Sequence, residues 1–262
     1  MSKRIVKALG VIMATGMAML ADFAVAEDAA VFRILSYNVK HGEGMDKRLD
    51  LSRTADVVKL ANPTYTGLQE VDQMTRRVAG TNTCQVISAR CGMHATFGKA
   101  MSYRGGEYGN TLLSREVPLS VKTYSLPASP NLKKGLREPR VLVMCEFADF
   151  WVGSMHLNGD PSSAPLVRRA VEECAVLKPV FVMGDWNALP NSDLLKAMKE
   201  FLTILSRTDR RTMHHKEGYC IDYVAVDTAH AKDFEVVDTD VIQEFVASDH
   251  RPIYVDIKRS KR

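Results

Sequence analysis

Alternating apolar and polar residues predict a β-strand soon after the N-terminal segment. Residues 31–39 alternate in the manner of a half-buried strand. Further short apolar segments predict strands at residues 64–69, 110–113, 117–124, 141–147, 150–155, 180–183, 221–226 and 253–257. Ala148-Asp149 predicts a turn between two neighbouring strands.

Three segments predict helices. The first starts at a cap on Asp50 or Ser52 and runs to about Ala61, where Asn62-Pro63 ends it. The others cover residues 163–177 and 192–201. Because helices fall between groups of strands, the pattern favours two sheets packed face to face with helices outside, in one domain.

The first 26 residues have the three parts of a secretory signal peptide. Lys3, Arg4 and Lys7 precede an apolar stretch over residues 8–21, and Ala24-Val25-Ala26 supplies the small residues of a cleavage site. A retained membrane anchor is the alternative, but the stretch is short for a span. We therefore expect export to the periplasm or the exterior, with residues 27–262 as one catalytic domain and no stable membrane insertion after cleavage.

Composition and charge exclude two classes of protein. The chain of 262 residues is 46% hydrophobic and 25% charged, which argues against disorder. The net charge is +4, and removal of residues 1–26 leaves +2, far from the footprint of a dedicated DNA-binding domain. The basic end at residues 258–262 could touch phosphates or lipid, although a solvated chain end is the simpler interpretation. We expect a monomer.

Five cysteines follow the predicted signal peptide, at positions 84, 91, 145, 174 and 220, and no C-x-x-C pair occurs among them. In an oxidising compartment a local Cys84–Cys91 bridge across a turn is the expected pairing. The number is odd, so at least one thiol stays free or pairs between chains. The alternative is that most are small buried residues.

Polar side chains that can do chemistry cluster where the apolar strands stop. They are Asn38, Glu70, His156, Asp185, Asn187, Asp222, Asp249 and His250. Any one of them could merely satisfy turn backbone. As a set rich in carboxylates and amides, without a cysteine group, they fit an oxygen-ligand site for a hard cation.

Five motifs in order resemble one superfamily. They are Ser36-Tyr37-Asn38-Val39, Leu68-Gln69-Glu70-Val71, Gly184-Asp185-Trp186-Asn187, Ile221-Asp222-Tyr223 and Ser248-Asp249-His250-Arg251-Pro252. The chain is thereby similar to the endonuclease/exonuclease/phosphatase superfamily, which has the DNase I-like fold. The resemblance implies an α/β (α+β) four-layer sandwich of two packed mixed β-sheets flanked by helices. It also implies phosphoester hydrolysis that depends on Mg²⁺, with Mn²⁺ or Ca²⁺ as alternatives.

The resemblance also implies roles for the clustered residues. Asn38, Glu70 and Asp249 would hold the metal. Asp185 would orient or deprotonate the attacking water, and Asn187 would hold that water or the phosphate. His250, fixed by Asp222, would bond the phosphate or move a proton, and His156 would donate to a phosphoryl oxygen.

Four further residues are candidates for binding the substrate phosphate: Arg137, Arg140, Asn110 and Tyr108. The arginines lie in an Arg-Glu-Pro-Arg run that resembles a run of DNase I-like nucleases, with surface salt bridges as the alternative. The glycine-rich segment 104–110 supplies Asn110 and Tyr108, with ordinary turn chemistry as the alternative. His41 and Glu43 are interpreted as loop residues.

The motifs leave the substrate open, because one fold hosts many substrates. A secreted phosphodiesterase acting on nucleic acid is the first hypothesis. A phosphatase or phospholipase-like enzyme for phosphoinositide, sphingomyelin or other lipid headgroups is the second. A non-catalytic binding protein on the same scaffold is the third, and the intact set of site residues argues against it.

Overall fold

The computed structural model describes residues 30–126, 128, 138–214 and 219–260. The predicted signal peptide and Arg137 lie outside these residues. The helices are α1 (Leu51–Ala61), α2 (Thr83–Cys91), α3 (Ala164–Cys174) and α4 (Asp193–Lys199). The strands are β1 (Phe32–Asn38), β2 (Tyr65–Gln73), β3 (His94–Tyr103), β4 (Gly106–Ser114), β5 (Ser120–Leu126), β6 (Arg140–Glu146), β7 (Trp151–His156), β8 (Val180–Asp185), β9 (Leu202–Ile204), β10 (Asp222–Asp227), β11 (Phe234–Val241) and β12 (Ile253–Arg259).

The strands form two mixed six-stranded sheets. The first has the order β11-β12-β1-β2-β4-β3 and the second β5-β6-β7-β8-β10-β9. In each sheet one central pair is parallel, β1 with β2 and β7 with β8, and the other pairs are antiparallel. The carboxyl ends of β1, β7 and β8 carry Asn38, His156 and Asp185 of the predicted site, and Glu70 lies inside β2.

Three apolar clusters separate four layers. Between the sheets, residues such as Ile34, Phe181 and Val255 are fully buried. A second cluster joins α1 and α2 to the outer face of the first sheet, and a third joins α3 and α4 to the second sheet. The predicted four-layer α/β sandwich with the DNase I-like arrangement is therefore confirmed.

Local chemistry explains where α1 begins and ends. The Asp50 side chain accepts a hydrogen bond from the Arg53 backbone N–H and so satisfies one free donor of the first turn. Asn62 then adopts a left-handed conformation, and Pro63 follows it. The cap predicted on Asp50 is thus present.

Other predicted elements differ from the structure in extent, and four were missed. The strand predicted at 117–124 lies at Ser120–Leu126, and the helix predicted at 163–177 ends at Cys174. Helix α2 and strands β3, β9 and β11 were not predicted. Only Thr83, Cys84 and Ile87 of α2 are buried, so its sequence carries little helical periodicity.

The Cys84–Cys91 bridge is wrong. Both residues lie in α2 rather than around a turn, and two helical turns separate them by about 10 Å along the axis, too far for a disulfide. The Cys84 sulfur lies 2.8 Å from Thr111 Oγ1, and the Cys91 thiol donates to the Ala55 carbonyl at 3.4 Å. All five cysteines are free, as the alternative interpretation required.

Among the described residues, no helix is both long enough and apolar enough to cross a bilayer.

The close approach of the two sheets predicts a stability effect at Gly67. A Cβ there would lie 2.6 Å from Met183 Cγ and 2.9 Å from Ser154 Oγ, both in the opposite sheet. Gly67→Ala is expected to lower the free energy of unfolding by about 1–3 kcal/mol, measured by urea denaturation. The exposed Leu60→Ala is the control, with a change within about 0.5 kcal/mol. An equally small change in Gly67→Ala would contradict the inferred contact.

Candidate active site

Strand register alone places three site residues side by side. In the second sheet His156 pairs with Asp185 across β7 and β8, and Asp185 pairs with Asp222 across β8 and β10. All three side chains are almost fully buried. Two carboxylates and an imidazole therefore lie in one row at the ends of three neighbouring strands.

The carboxylate of Asp185 is the meeting point of both sheets. Its Oδ2 accepts a hydrogen bond from Asn38 Nδ2 at 3.0 Å. It also lies 3.4 Å from His156 Nε2 and 3.6 Å from His250 Nε2. The same Asn38 amide donates to Glu70 Oε1 at 3.1 Å, so one amide links the carboxylates of two sheets.

A β-bulge places Glu70. The register of β2 against β4 shifts between Leu68 and Val71, and Glu70 adopts a left-handed conformation with φ 58°. Non-glycine residues rarely take this conformation, and bulges beside active sites re-aim side chains. The bulge in β2 therefore sets the direction of the Glu70 carboxylate.

Asp222 and His250 form a buried pair. His250 Nδ1 lies 2.9 Å from Asp222 Oδ2, and the His250 backbone N–H donates to Ser248 Oγ. Burial opposes the positive charge of His250, but Asp222 and Asp185 outweigh it and raise its pKa to about 10. The imidazole is therefore protonated at neutral pH, with Nε2 toward Asp185.

Burial also disfavours the charged forms of the neighbouring groups, which raises the pKa of an acid and lowers that of a base. It raises the pKa of Asp185 to about 7, with Asp222 adding to the rise and His250 opposing it. For His156, burial and then the Arg140 guanidinium hold the pKa well below its ordinary value. Asp185, whose pKa is near neutral pH, thus lies between the charged imidazole of His250 and the neutral imidazole of His156.

The contact with Arg140 assigns the tautomer of His156. Arg140 Nη1 lies 3.2 Å from His156 Nδ1, and a guanidinium only donates, so Nδ1 accepts and the proton is on Nε2. Asn187 Nδ2 donates to the Leu157 carbonyl and also approaches His156 Nε2 to 2.9 Å, a contact between two donors in this tautomer. The Asn187 N–H donates to Asp185 Oδ1, which fixes the loop after β8.

The predicted phosphate-binding residues separate into two groups. Arg140 and Tyr108 meet at the site, where Arg140 Nη1 donates to the tyrosine hydroxyl at 3.3 Å and Nε donates to Asn158 Oδ1 at 2.6 Å. Asn110 is 2% exposed and its amide donates to the Val141 carbonyl, which favours a contact between the sheets over the predicted contact with substrate.

Lys40 reaches the site although the sequence did not single it out. Its Nζ lies 3.1 Å from Asp249 Oδ2 and 3.8 Å from Glu43 Oε1, and its backbone N–H donates to Asn38 Oδ1. Its position two residues after Asn38 was the available signal. Although burial acts to raise it, His250 and Lys40 lower the pKa of Asp249.

Among the described residues, one group of His, Cys, Asp and Glu side chains has ligand atoms close enough together to hold a divalent cation. One ligand atom each from Asp185, Asp222 and His250 lies within 4.8 Å of the others. His250 cannot ligate while its Nδ1 is hydrogen-bonded to Asp222 and its Nε2 is protonated. The oxygen atoms of Glu70, Asp249 and Asn38 have the chemistry that Mg²⁺ prefers, and Glu70 already lies against Asn38.

The comparison with family models identifies the chain. The model described as "Endonuclease/Exonuclease/phosphatase family" matches residues 35–250. The chain belongs to this family. The predicted resemblance is confirmed, and with it the broad class of the protein, a hydrolase from a superfamily that cleaves phosphoester bonds.

Solved structures of the endonuclease/exonuclease/phosphatase superfamily resemble this member closely in fold. A protein of the superfamily from Bacteroides vulgatus has a TM-score of 0.70 at 19% identity, covering 88% of this chain and 100% of the other. A mannosyl-6-phosphatase from Bacteroides thetaiotaomicron has a TM-score of 0.65 at 18% identity, covering 86% and 99%. The human Nocturnin catalytic domain with bound sulfate has a TM-score of 0.64 at 16% identity, covering 88% and 95%. Comparison with curated proteins returned no match.

The Asp222–His250 pair predicts a pH-dependent stability. The folded-state pKa of His250 is raised from 6.5 to about 10, so the stabilisation is full below about pH 6.5 and is lost as the pH rises toward 10. Asp222→Asn is therefore expected to cost more free energy of unfolding at about pH 6 than at about pH 10, in urea titrations with EDTA.

Asp56→Asn is the control for this measurement. Asp56 pairs with Arg90, whose charge does not change in this range, so its effect should be the same at each pH. A cost of Asp222→Asn that is equally independent of pH would contradict the charged state assigned to His250.

Proposed function

We propose that the chain is a divalent-cation-dependent phosphoester hydrolase. The first candidate is an exported phosphodiesterase that acts on nucleic acid. The observation that carries the hydrolase is the position of the Asp185 carboxylate, which lies within 3.6 Å of Asn38, His156 and His250 together. A base, two imidazoles of different charge and an amide converge on one small volume.

Glu70, Asn38 and Asp249 are the residues proposed to hold the cation. Their oxygen atoms suit a hard ion such as Mg²⁺, and Mn²⁺ or Ca²⁺ would fit the same atoms. When bound, the ion would neutralise charge that develops on the phosphate oxygens.

Asp185 is the proposed base. With a pKa of about 7, a large share of the Asp185 carboxyl is ionised at neutral pH and can accept a proton. Asp185 would take the proton of the water whose oxygen attacks phosphorus. The ester P–O bond would break, and the leaving oxygen would take its proton from solvent or from His250.

The two histidines have different proposed tasks because their charges differ. His250 is held protonated by Asp222, so its Nε2–H would bond a phosphate oxygen. His156 is neutral with its proton on Nε2, so it would donate to a phosphoryl oxygen without adding charge. Arg140, fixed between Tyr108 and Asn158, would add a guanidinium at the same phosphate.

A phosphatase acting on a sugar, inositol or lipid headgroup is the second candidate. The low net charge of residues 27–262, +2, favours this candidate, since tight binding of nucleic acid needs many cationic contacts. The mannosyl-6-phosphatase, 99% of which is covered by the match, is an example of a phosphatase with this fold. The export signal and the Arg-Glu-Pro-Arg run support the first candidate.

Three single substitutions test the site. Glu70→Ala, Asp185→Ala and His250→Ala are each expected to lower kcat by about 100-fold to 10,000-fold, with near-native circular dichroism. Glu70→Ala should also weaken Mg²⁺ binding in calorimetry. Glu172→Ala, an exposed carboxylate on α3, is the control and should keep full activity. Normal turnover in all three folded variants would refute the assignment.

A substrate panel separates the candidates. Residues 27–262 would be assayed on plasmid DNA, bis-p-nitrophenyl phosphate, mannose 6-phosphate and phosphoinositides, each with Mg²⁺ and with EDTA. Nicking that falls steeply with salt identifies the nuclease. Turnover of a headgroup with DNA untouched identifies the phosphatase. Inactivity on every substrate, with no binding of Mg²⁺, would refute the hydrolase.

A further inference from the structure

Three arginines gather beside the candidate site on two separate segments. Arg76 and Arg77 lie in a short 3-10 turn after β2, and Arg104 lies in the two-residue turn between β3 and β4. The Arg76 backbone N–H donates to the Arg104 carbonyl at 3.0 Å, which joins the segments. With Tyr103 they form what is called here the arginine patch.

Arg77 is held rigidly in the patch. Its Nε and Nη2 donate to the two oxygens of Asp72 at 2.7 Å each, and Asp72 is fully buried and also accepts from Thr75. The guanidinium lies 4.8 Å from the Tyr103 ring centre and 5.6 Å from that of Tyr108. Such a fixed guanidinium loses little freedom when it binds an anion.

The patch has an excess of positive charge. The Arg104 guanidinium also lies against Tyr103, 5.3 Å from the ring centre. Across the described parts of the chain, no carboxylate forms a salt bridge with Arg76 or Arg104. Asp72 pairs with Arg77, and Glu70 also attracts the Arg77 charge. The Arg77 and Arg104 guanidiniums contact the same Tyr103 ring, and a bound anion would relieve the repulsion between their charges.

The backbone at Arg104 points to a function for its side chain. Arg104 and Gly105 have φ values of 45° and 85°, the left-handed pair of a type I′ hairpin turn. Asn, Asp or Gly is the usual first residue of that turn, and arginine there is strained. The turn holds the Arg104 guanidinium against the Tyr103 ring, which Arg77 also contacts.

Direct contacts connect the patch to the catalytic residues. Tyr108 touches the Arg77 guanidinium with its ring and accepts from Arg140 with its hydroxyl. Arg140 in turn lies 3.2 Å from His156. The buried Tyr108 and Arg140 thus connect His156 with the arginine patch, toward which a substrate with its scissile phosphate at His156 would extend.

We propose that Arg76, Arg77 and Arg104 bind a second phosphate of the substrate, one that is not cleaved. The inference rests on the proposed hydrolase function and narrows its substrate to compounds with two phosphates. A nucleotide chain and a polyphosphorylated inositol both supply this chemistry. The patch would raise the affinity for such compounds over analogues with a single phosphate.

Paired substrates test the patch. One pair is thymidine 5′-(p-nitrophenyl phosphate) with and without a 3′-phosphate, and the other is inositol 1,4-bisphosphate against inositol 1-phosphate. The variant Arg76→Ala/Arg104→Ala keeps the Arg77–Asp72 pair, because breaking a buried pair can unfold the chain. The preference in kcat/KM for the second phosphate is expected to fall at least about tenfold, mainly through KM.

Arg90→Ala/Arg168→Ala is the control, since it removes the same charge from exposed positions on α2 and α3. It should keep the preference, and thermal unfolding should show that both double variants are folded. A fall in one pair only identifies the nucleotide or the inositol as the source of the second phosphate. An unchanged preference in every pair that is turned over would overturn the arginine patch and leave the hydrolase intact.

If the proposed hydrolase activity is wrong, the experiment gives a different result. If no substrate is turned over, the binding of inositol 1,4-bisphosphate and of thymidine 3′,5′-bisphosphate is measured by calorimetry in EDTA. An affinity at least about tenfold weaker in Arg76→Ala/Arg104→Ala than in the control supports the patch without the hydrolase. Equal affinity in both, or no binding to the wild type, overturns it.

Discussion

The burial of one carboxylate between two sheets governs the organisation of the site. Asp185 is 1% exposed, and such a group is costly to ionise unless donors and cations surround it. The amide of Asn38 and the imidazoles of His156 and His250 supply that surrounding. Each of these groups comes from a different strand or loop, so the chemistry exists only when both sheets are assembled.

The proposed arginine patch would separate the chemistry of the site from the choice of substrate. Asn38, Asp185 and Asp222 lie at the ends of central strands whose positions are fixed by the packed core. Arg76 and Arg104 lie in turns at the rim, where sequence can change without moving the strands. Changes at such rim positions would let one fold serve many phosphoesters.

The strand ends were predictable because their chemistry interrupts apolar runs. Asp185 and Asn187 follow a buried strand directly, and alignment of strand ends in a sheet brings such residues together. Lys40 was missed although it lies two residues after Asn38, because the sequence shows neither the left-handed backbone at Lys40 and His41 nor the contact with Asp249. Helix α2 was missed because few of its residues are buried, and that error produced the wrong disulfide.

Left-handed backbone is concentrated where the chemistry is. Of the nine non-glycine residues with positive φ in the described chain, Lys40, His41, Glu70 and Asn187 lie at or beside the site. Each conformation costs on the order of 1 kcal/mol that glycine would not incur. Selection for heat resistance alone would therefore favour glycine at these positions and erode catalysis. The enzyme's thermal tolerance and its turnover are in this sense opposed along the same short stretches of main chain.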